Sequence, residues 1–467
     1  MIARIVLRRT ITLVLFFIIA VSGNVWCAPV DEKEAGAVAD LWYAMELNTH
    51  GLALIPSEKA ARIQAMQTHK MLYLDEDKTL TDIRPLGKEV LAYVITYGKK
   101  GYVVVSGDDR LDPVPVFDSE AEFRWDQPER NFLRYFMEKE LVKRWGAMKS
   151  KAATGVAESM HPSWMSLRSQ TSKLSNPAEA TFESAPGGIY ILWPTALWDQ
   201  GLYYNEVVVA HNGNTADIPT GCTATAMAIK MRFHEWPPAG SGSHSYSDVW
   251  RSIRYSHSVN FGSQTFDWAS MPTGNVTAIN TGVENLMYDC GVAVDMDYEV
   301  GTANAWPSAT SMNTYFGYKG TVELTSGHNQ PMIDSIRGGL PVVLSSSAHT
   351  VVADGYRDST SPYFHLNVGW SGGSNGWYNL DQIPGGDSTI DRSYPYSSPS
   401  NYVFVDSGWG GVQIGTIQNP WSSVAVGALT VPSGGRLMVK AGSNPGTVVI
   451  STPMTINSYQ GEAVIGK

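Results

Sequence analysis

Cys222 stands directly after Gly221 in "PTGCTATAMAIKMRFHEW" (219–236), at the head of a run whose pattern predicts a buried helix. A thiol in the first turn of a helix lies where unpaired N–H groups and the positive end of the helix dipole stabilise a thiolate. The same N–H groups can receive a developing oxyanion. Gly221 leaves room for a substrate backbone to approach, and Ala224, Ala226 and Ala228 keep the helix slim enough for a central position. Alone, such a cysteine is most often an inert small hydrophobe. A nucleophile needs a base, and of ten histidines His349 has the most suggestive surroundings.

The elements that must carry that base are legible in "GGLPVVLSSSAHTVVADGYRDSTSPYFHLNVGW" (338–370), which predicts three successive strands with His349 opening the middle one. Pairing centred on Asp358 sets Asn367 opposite His349 and on the same face. An amide oxygen there would fix the imidazole tautomer and leave its other nitrogen toward the thiol. His365 is expected to support rather than to react. His328, His234, His244, His257, His211 and His161 sit in polar or loop contexts and read as solvated. Cys290, in "LMYDCGVAV", reads as structural. "FHEWP" lacks the second histidine of a zinc-binding helix, and no metal or cofactor is expected.

Around these elements the chain of 467 residues divides into several units. Arg4, Arg8 and Arg9 precede the apolar run "ITLVLFFIIAV" (11–21), which suits a secretory leader ending near Cys27 and predicts a secreted or cell-surface protein. Residues 28–187 predict a small α+β unit. It comprises a helix over 34–50, a hairpin over 89–109 about the Gly98–Gly101 turn, an amphipathic helix over 131–148, and a Ser/Ala/Lys-rich linker over 149–187. Residues 188–411 read as helical first and β-rich afterwards. Residues 412–467 alternate short β-runs with Gly-rich turns, as the rungs of a parallel β-helix do. A net charge of −10 gives no electrostatic footprint for nucleic acid, and stable membrane insertion is not expected once the leader is removed.

The motifs "WDQGLYYN", "PTGCTATAMAIKMRFHEWP", "FDWASMP", "LMYDCGVAVDMDY", "SAHTVVADGY" and "LNVGWSGGSNGWYNL" occur in the order and spacing of the streptopain family of papain-like cysteine peptidases. The segment from about 188 to 405 resembles that catalytic domain. The stretch "AYVITYGKKGYVVVSGDDRLDPVPVFDSEAEF" resembles the family's inhibitory propeptide, and the tail is similar to β-helical extensions of some secreted members. The resemblance implies an α+β, papain-like fold in which a helical part carries the cysteine and an antiparallel part carries His and Asn. It implies Cys222 as nucleophile, His349 as general base and acid, Asn367 as the orienting residue, and Gln200 as an oxyanion-hole donor. Gly221 and Trp370 would line the substrate site. Protein or peptide substrates follow, with the chain's own propeptide as intramolecular inhibitor. Two positions depart from the family pattern. Val368 replaces the usual Trp after the Asn, which would leave the His–Asn bond less shielded, and Ala348 replaces Gly before the His, which would narrow the cleft. A surface or adhesion protein working through the β-rich tail, or an amidase on the same scaffold, remains an alternative.

Overall fold

The computed structural model describes residues 28–49, 56–125, 132–153, 159–173, 190–215, 217–347, 349–358, 362–380 and 390–466. The expected leader, Ala348 and the expected boundary at 187/188 lie outside these residues. Helix and sheet are mixed throughout, and among the described residues no helix is long and apolar enough to cross a membrane.

An eleven-stranded sheet organises the molecule. Its main path runs Arg392–Tyr394, Val342–Ser345, Thr350–Arg357, Tyr363–Asn367 and Gly376–Asn379, then crosses into the N-terminal unit through Val116–Asp118, Tyr102–Ser106, Val90–Thr96, Lys70–Asp75 and Leu80–Thr81. Tyr190–Leu192 pairs with the far end of Thr350–Arg357. The strands rich in β-branched and aromatic residues, such as "YVVVS" and "TVVADGYR", are buried along their whole length because both faces are covered.

The expected N-terminal helix forms over Glu32–Thr49, and the expected hairpin pairs Val90–Thr96 with Tyr102–Ser106. The amphipathic run at 131–148 folds as a helix interrupted by a wide turn over Phe136–Leu141 and continues through Val142–Ala153. Its apolar side, Phe132, Phe136 and Leu141, packs with Phe364, Leu366 and Tyr378 of the strands beyond the junction. The linker expectation for 149–187 is corrected in part. Pro162–Lys173 is a helix, and its Trp164 and Leu167 are buried against Val38, Leu41 and Trp42. Two apolar anchors in a Ser-rich run were enough to order it.

Cys222–His234 forms the expected helix, and Ala224, Ala226 and Ala228 are buried in a core shared with Leu286 and Met287 of the helix Thr281–Val292. At the other end, Tyr402–Val405, Gly435–Asn444 and Met454–Ile465 form a three-stranded parallel sheet. The first of these strands precedes the expected boundary at 411/412, so this sheet begins earlier in the chain than composition suggested.

Candidate active site

Gly221 caps the Cys222 helix with φ +89°, and a Cβ there would lie 2.8 Å from Met296. The positive φ is what calls for glycine here, while the flexible end of Met296 could give way to a Cβ. The helix begins at Cys222 itself, which puts the thiol at its positive end. His349 lies one residue ahead of the strand Thr350–Arg357, and its ring hydrogen-bonds the thiol. Burial pushes the Cys222 thiol up. The charge and hydrogen bond of His349, together with the N–H and hydroxyl of Thr350, outweigh burial and bring the thiol down to about 7. Cys290 is different: burial, with Asp289 nearby, pushes it well above the usual thiol range.

The other nitrogen of His349, Nε2, lies 2.9 Å from the carbonyl oxygen of Val368. A carbonyl can only accept, so Nε2 carries the proton and Nδ1 is left for the thiol. This corrects the expected His349–Asn367 bond. The strands pair Asn367 with Val352, not with residue 349, because Arg357 pairs with Tyr363 and the reversal is therefore centred two residues later than Asp358. The one-residue shift between Ala353 and Gly355 recovers only part of that difference.

Asn367 instead holds the loop that follows it. Its amide donates to Thr195 Oγ1 at 2.8 Å and to the Ala196 carbonyl at 2.9 Å, and its Oδ1 accepts the Gly369 N–H at 3.1 Å. That loop presents the Val368 carbonyl to His349. It also presents Trp370, whose ring lies 6.3 Å from the imidazole at an angle of 16°. Val368 is fully buried among Phe364, Leu366 and other core residues, so its side chain packs inward while its carbonyl serves the histidine.

Gln200 is buried, and its Nε2 has no hydrogen-bond partner. Its backbone carbonyl accepts the Thr220 N–H at 2.9 Å, two residues before Cys222, which ties it to the approach of the helix. An unpaired buried donor is costly unless something is meant to occupy it.

Sequence reasoning missed a polar chain behind Asn367. Thr195 donates to Asp354 Oδ2 at 2.6 Å, and His365 Nδ1 lies 2.6 Å from Asp354 Oδ1. His365 Nε2 in turn lies 3.4 Å from Asp118 of the N-terminal unit. Burial pulls the His365 imidazole down, but Asp354 and Asp118 outweigh it and hold the group up to about 10. Three histidines read as solvated, His234, His257 and His328, are buried, because the short polar runs around them are covered by neighbouring tyrosines and strands. Among the described residues no group of three or more His, Cys, Asp or Glu is arranged to hold a metal ion.

The fold and site together define a mixed helix-and-sheet protein with a cysteine–histidine pair at a helix start. Residues 198–378 match the model of the Peptidase C10 family. The chain is 28% identical over 401 residues to the thiol protease/hemagglutinin PrtT of Porphyromonas gingivalis, covering 78% of this chain and 43% of that protein. It is 26% identical over 320 residues to streptopain of Streptococcus pyogenes, covering 64% of this chain and 75% of streptopain. The chain therefore spans less than half the length of the first relative and three quarters of the second. A prointerpain A fragment of Prevotella intermedia aligns with 21% identity and a TM-score of 0.49, over 65% of this chain and 94% of the fragment.

Proposed function

We propose that the chain is a secreted cysteine endopeptidase made as a self-processing zymogen. Cys222, as thiolate, attacks the scissile carbonyl carbon while His349 holds the proton as imidazolium. The oxyanion is received by the Cys222 N–H and by the Gln200 amide, whose buried donor is otherwise unused. His349 delivers its proton to the departing amine, leaving a thioester, then takes one from water to release the acid and restore the thiol. Asn367 acts through the loop it anchors, keeping the Val368 carbonyl on Nε2 and Trp370 over the ring. Gly221 and Trp370 flank the substrate.

The observation that carries this reading is the thiol–imidazole contact at the head of the central helix, with the thiol lowered to about 7. The likeness to PrtT, which is named a thiol protease, and to streptopain supports it. The N-terminal unit, residues 28 to about 187, is read as the inhibitor. In support, the Ser374 N–H donates to the Glu122 carbonyl and the Ser374 hydroxyl to that of Arg124, beside the loop bearing Trp370. The parallel strands of the C-terminal region are read as short β-helix-like rungs.

Purified Cys222→Ala and His349→Ala proteins are expected to lose casein hydrolysis while keeping their fold. The Cys222→Ala protein should also accumulate as uncut precursor until active enzyme is added. Full casein hydrolysis by Cys222→Ala would overturn the assignment, and maturation of that variant at the normal rate would overturn self-processing.

A further inference from the structure

We propose that Asn375 is a positioning residue for His349: its side chain clamps Val368, the residue whose carbonyl accepts the imidazole proton at Nε2. This rests on the reading of Cys222 and His349 as the reacting pair. Asn375 Oδ1 accepts the Val368 N–H at 3.0 Å, and the Val368 carbonyl oxygen lies 2.9 Å from His349 Nε2. One buried asparagine thus stands one residue away from the imidazole, and it touches neither the ring nor the thiol.

The need for such a residue follows from where the strands stop. Tyr363–Asn367 pairs with Gly376–Asn379 only as far as Leu366 opposite Gly376. Val368 lies beyond the last pair and is fully buried, so neither a ladder bond nor water meets its N–H, and a side chain has to. Asn375, the residue just ahead of the second strand, supplies that acceptor. Its own main chain is fixed: the Tyr102 hydroxyl donates to its carbonyl at 2.9 Å, and the Tyr378 hydroxyl donates to the carbonyl of the preceding Ser374 at 2.8 Å.

Asn367 completes the clamp, because its Oδ1 accepts the Gly369 N–H at 3.1 Å. The Val368 carbonyl lies in the chain between these two held N–H groups, and with both of them fixed it is turned to His349. An imidazolium formed when the thiol gives up its proton then finds an acceptor already in place at Nε2, and a hydrogen bond to the charged form favours that form. An alanine at 375 removes the acceptor from the Val368 N–H and frees the carbonyl to turn away. An aspartate keeps an acceptor oxygen at the same reach.

The test is the rate of alkylation of Cys222 by iodoacetamide against pH in the full chain without its leader. Cys222 is partly exposed and Cys290 buried, and peptide mass spectrometry separates the two. Asn375→Ala is expected to move the midpoint of the Cys222 profile upward by about half to one pH unit. That corresponds to a roughly three- to tenfold slower reaction below the midpoint. Asn375→Asp should hold the midpoint at or near that of the unaltered chain. Asn375→Ser, whose hydroxyl is one bond too short for the Val368 N–H, gives the same reading as alanine should the alanine variant not fold. An unchanged midpoint in the alanine or serine variant, with the unaltered chain showing a depressed one, overturns the role of Asn375 alone, even where the melting temperature falls. A midpoint in Asn375→Asp as high as in Asn375→Ala overturns it too, since the acceptor would then not be what matters. An ordinary thiol midpoint for Cys222 in the unaltered chain removes the nucleophile reading, and the proposal falls with it.

Discussion

At the scale of single residues, the sequence carries the two groups proposed to react, Cys222 and His349, more clearly than the group that aligns the imidazole. Cys222 was legible because a glycine, a cysteine and a run of alanines specify a helix start that can be central and close to substrate. His349 was legible from its place among three strands. The partner of its Nε2 was not, because that partner is the main-chain carbonyl of Val368, and a carbonyl leaves no mark in a sequence. Val368 also changes meaning once its surroundings are seen. Read as a lost aromatic shield, it invites replacement by tryptophan; in the structure it is fully buried in a packed core while Trp370 lies over the imidazole. Val368→Trp is therefore expected to destabilise the fold by about 1–3 kcal/mol through overpacking and to lower activity. Thermal unfolding and casein hydrolysis of the variant check this; full activity at unchanged stability would show that the core has room and that the shielding reading was right.

At the scale of elements, the strands were predicted correctly in number and order, and their register was not. Arg357 pairs with Tyr363, so the chain reverses later than the assumed centre at Asp358, and even with the extra residue between Ala353 and Gly355 Asn367 stands opposite Val352 rather than His349. Turn residues at 357–362 announce that a chain reverses but not the residue about which it does, so the assumed centre was the wrong guide. Gly355 shows what the bulge requires. A Cβ at that position would lie 2.7 Å from the His365 Cβ and 3.1 Å from the Ile191 carbonyl oxygen. The strand carries His349 at one end and contacts its neighbours on both sides, so strain at 355 is transmitted along the element that positions the site. Gly355→Val should lower stability by about 2–3 kcal/mol and reduce hydrolysis together, whereas an exposed glycine such as Gly274 should tolerate alanine with no loss of activity. A Gly355→Val protein with unchanged melting temperature would mean that the bulge does not hold the strand where the structure places it.

At the scale of the whole molecule, the N-terminal unit does not sit on the rest as a separate body; it extends the same sheet. Val116–Asp118 pairs with Gly376–Asn379, Tyr363 donates to the Val114 carbonyl at 2.7 Å, and Arg144 donates to the Asn379 carbonyl at 2.6 Å. Buried charges cross the junction too: Arg357 pairs with Glu46 and lies over the rings of Trp42 and Phe117. His365 is the titratable member of this junction. It lies between Asp354 on its own side and Asp118 across the boundary, and these two carboxylates raise it to about 10, against about 6.5 for an unperturbed imidazole. A folded value above the unfolded one means that the folded state holds the proton more tightly. Its contribution to stability is thus fully present below about pH 6.5 and is lost as the pH rises through about 10. In the Cys222→Ala background, which prevents self-digestion, the full chain should accordingly exceed its His365→Gln counterpart in denaturant midpoint by a wide margin at pH 6, with the margin shrinking steadily toward pH 10.5. General alkaline weakening lowers both proteins and cancels in the difference. A margin that stays constant across that range would show that the imidazole is not charged between the two carboxylates, and the junction would then owe its hold to strand pairing and to the Arg357–Glu46 pair instead.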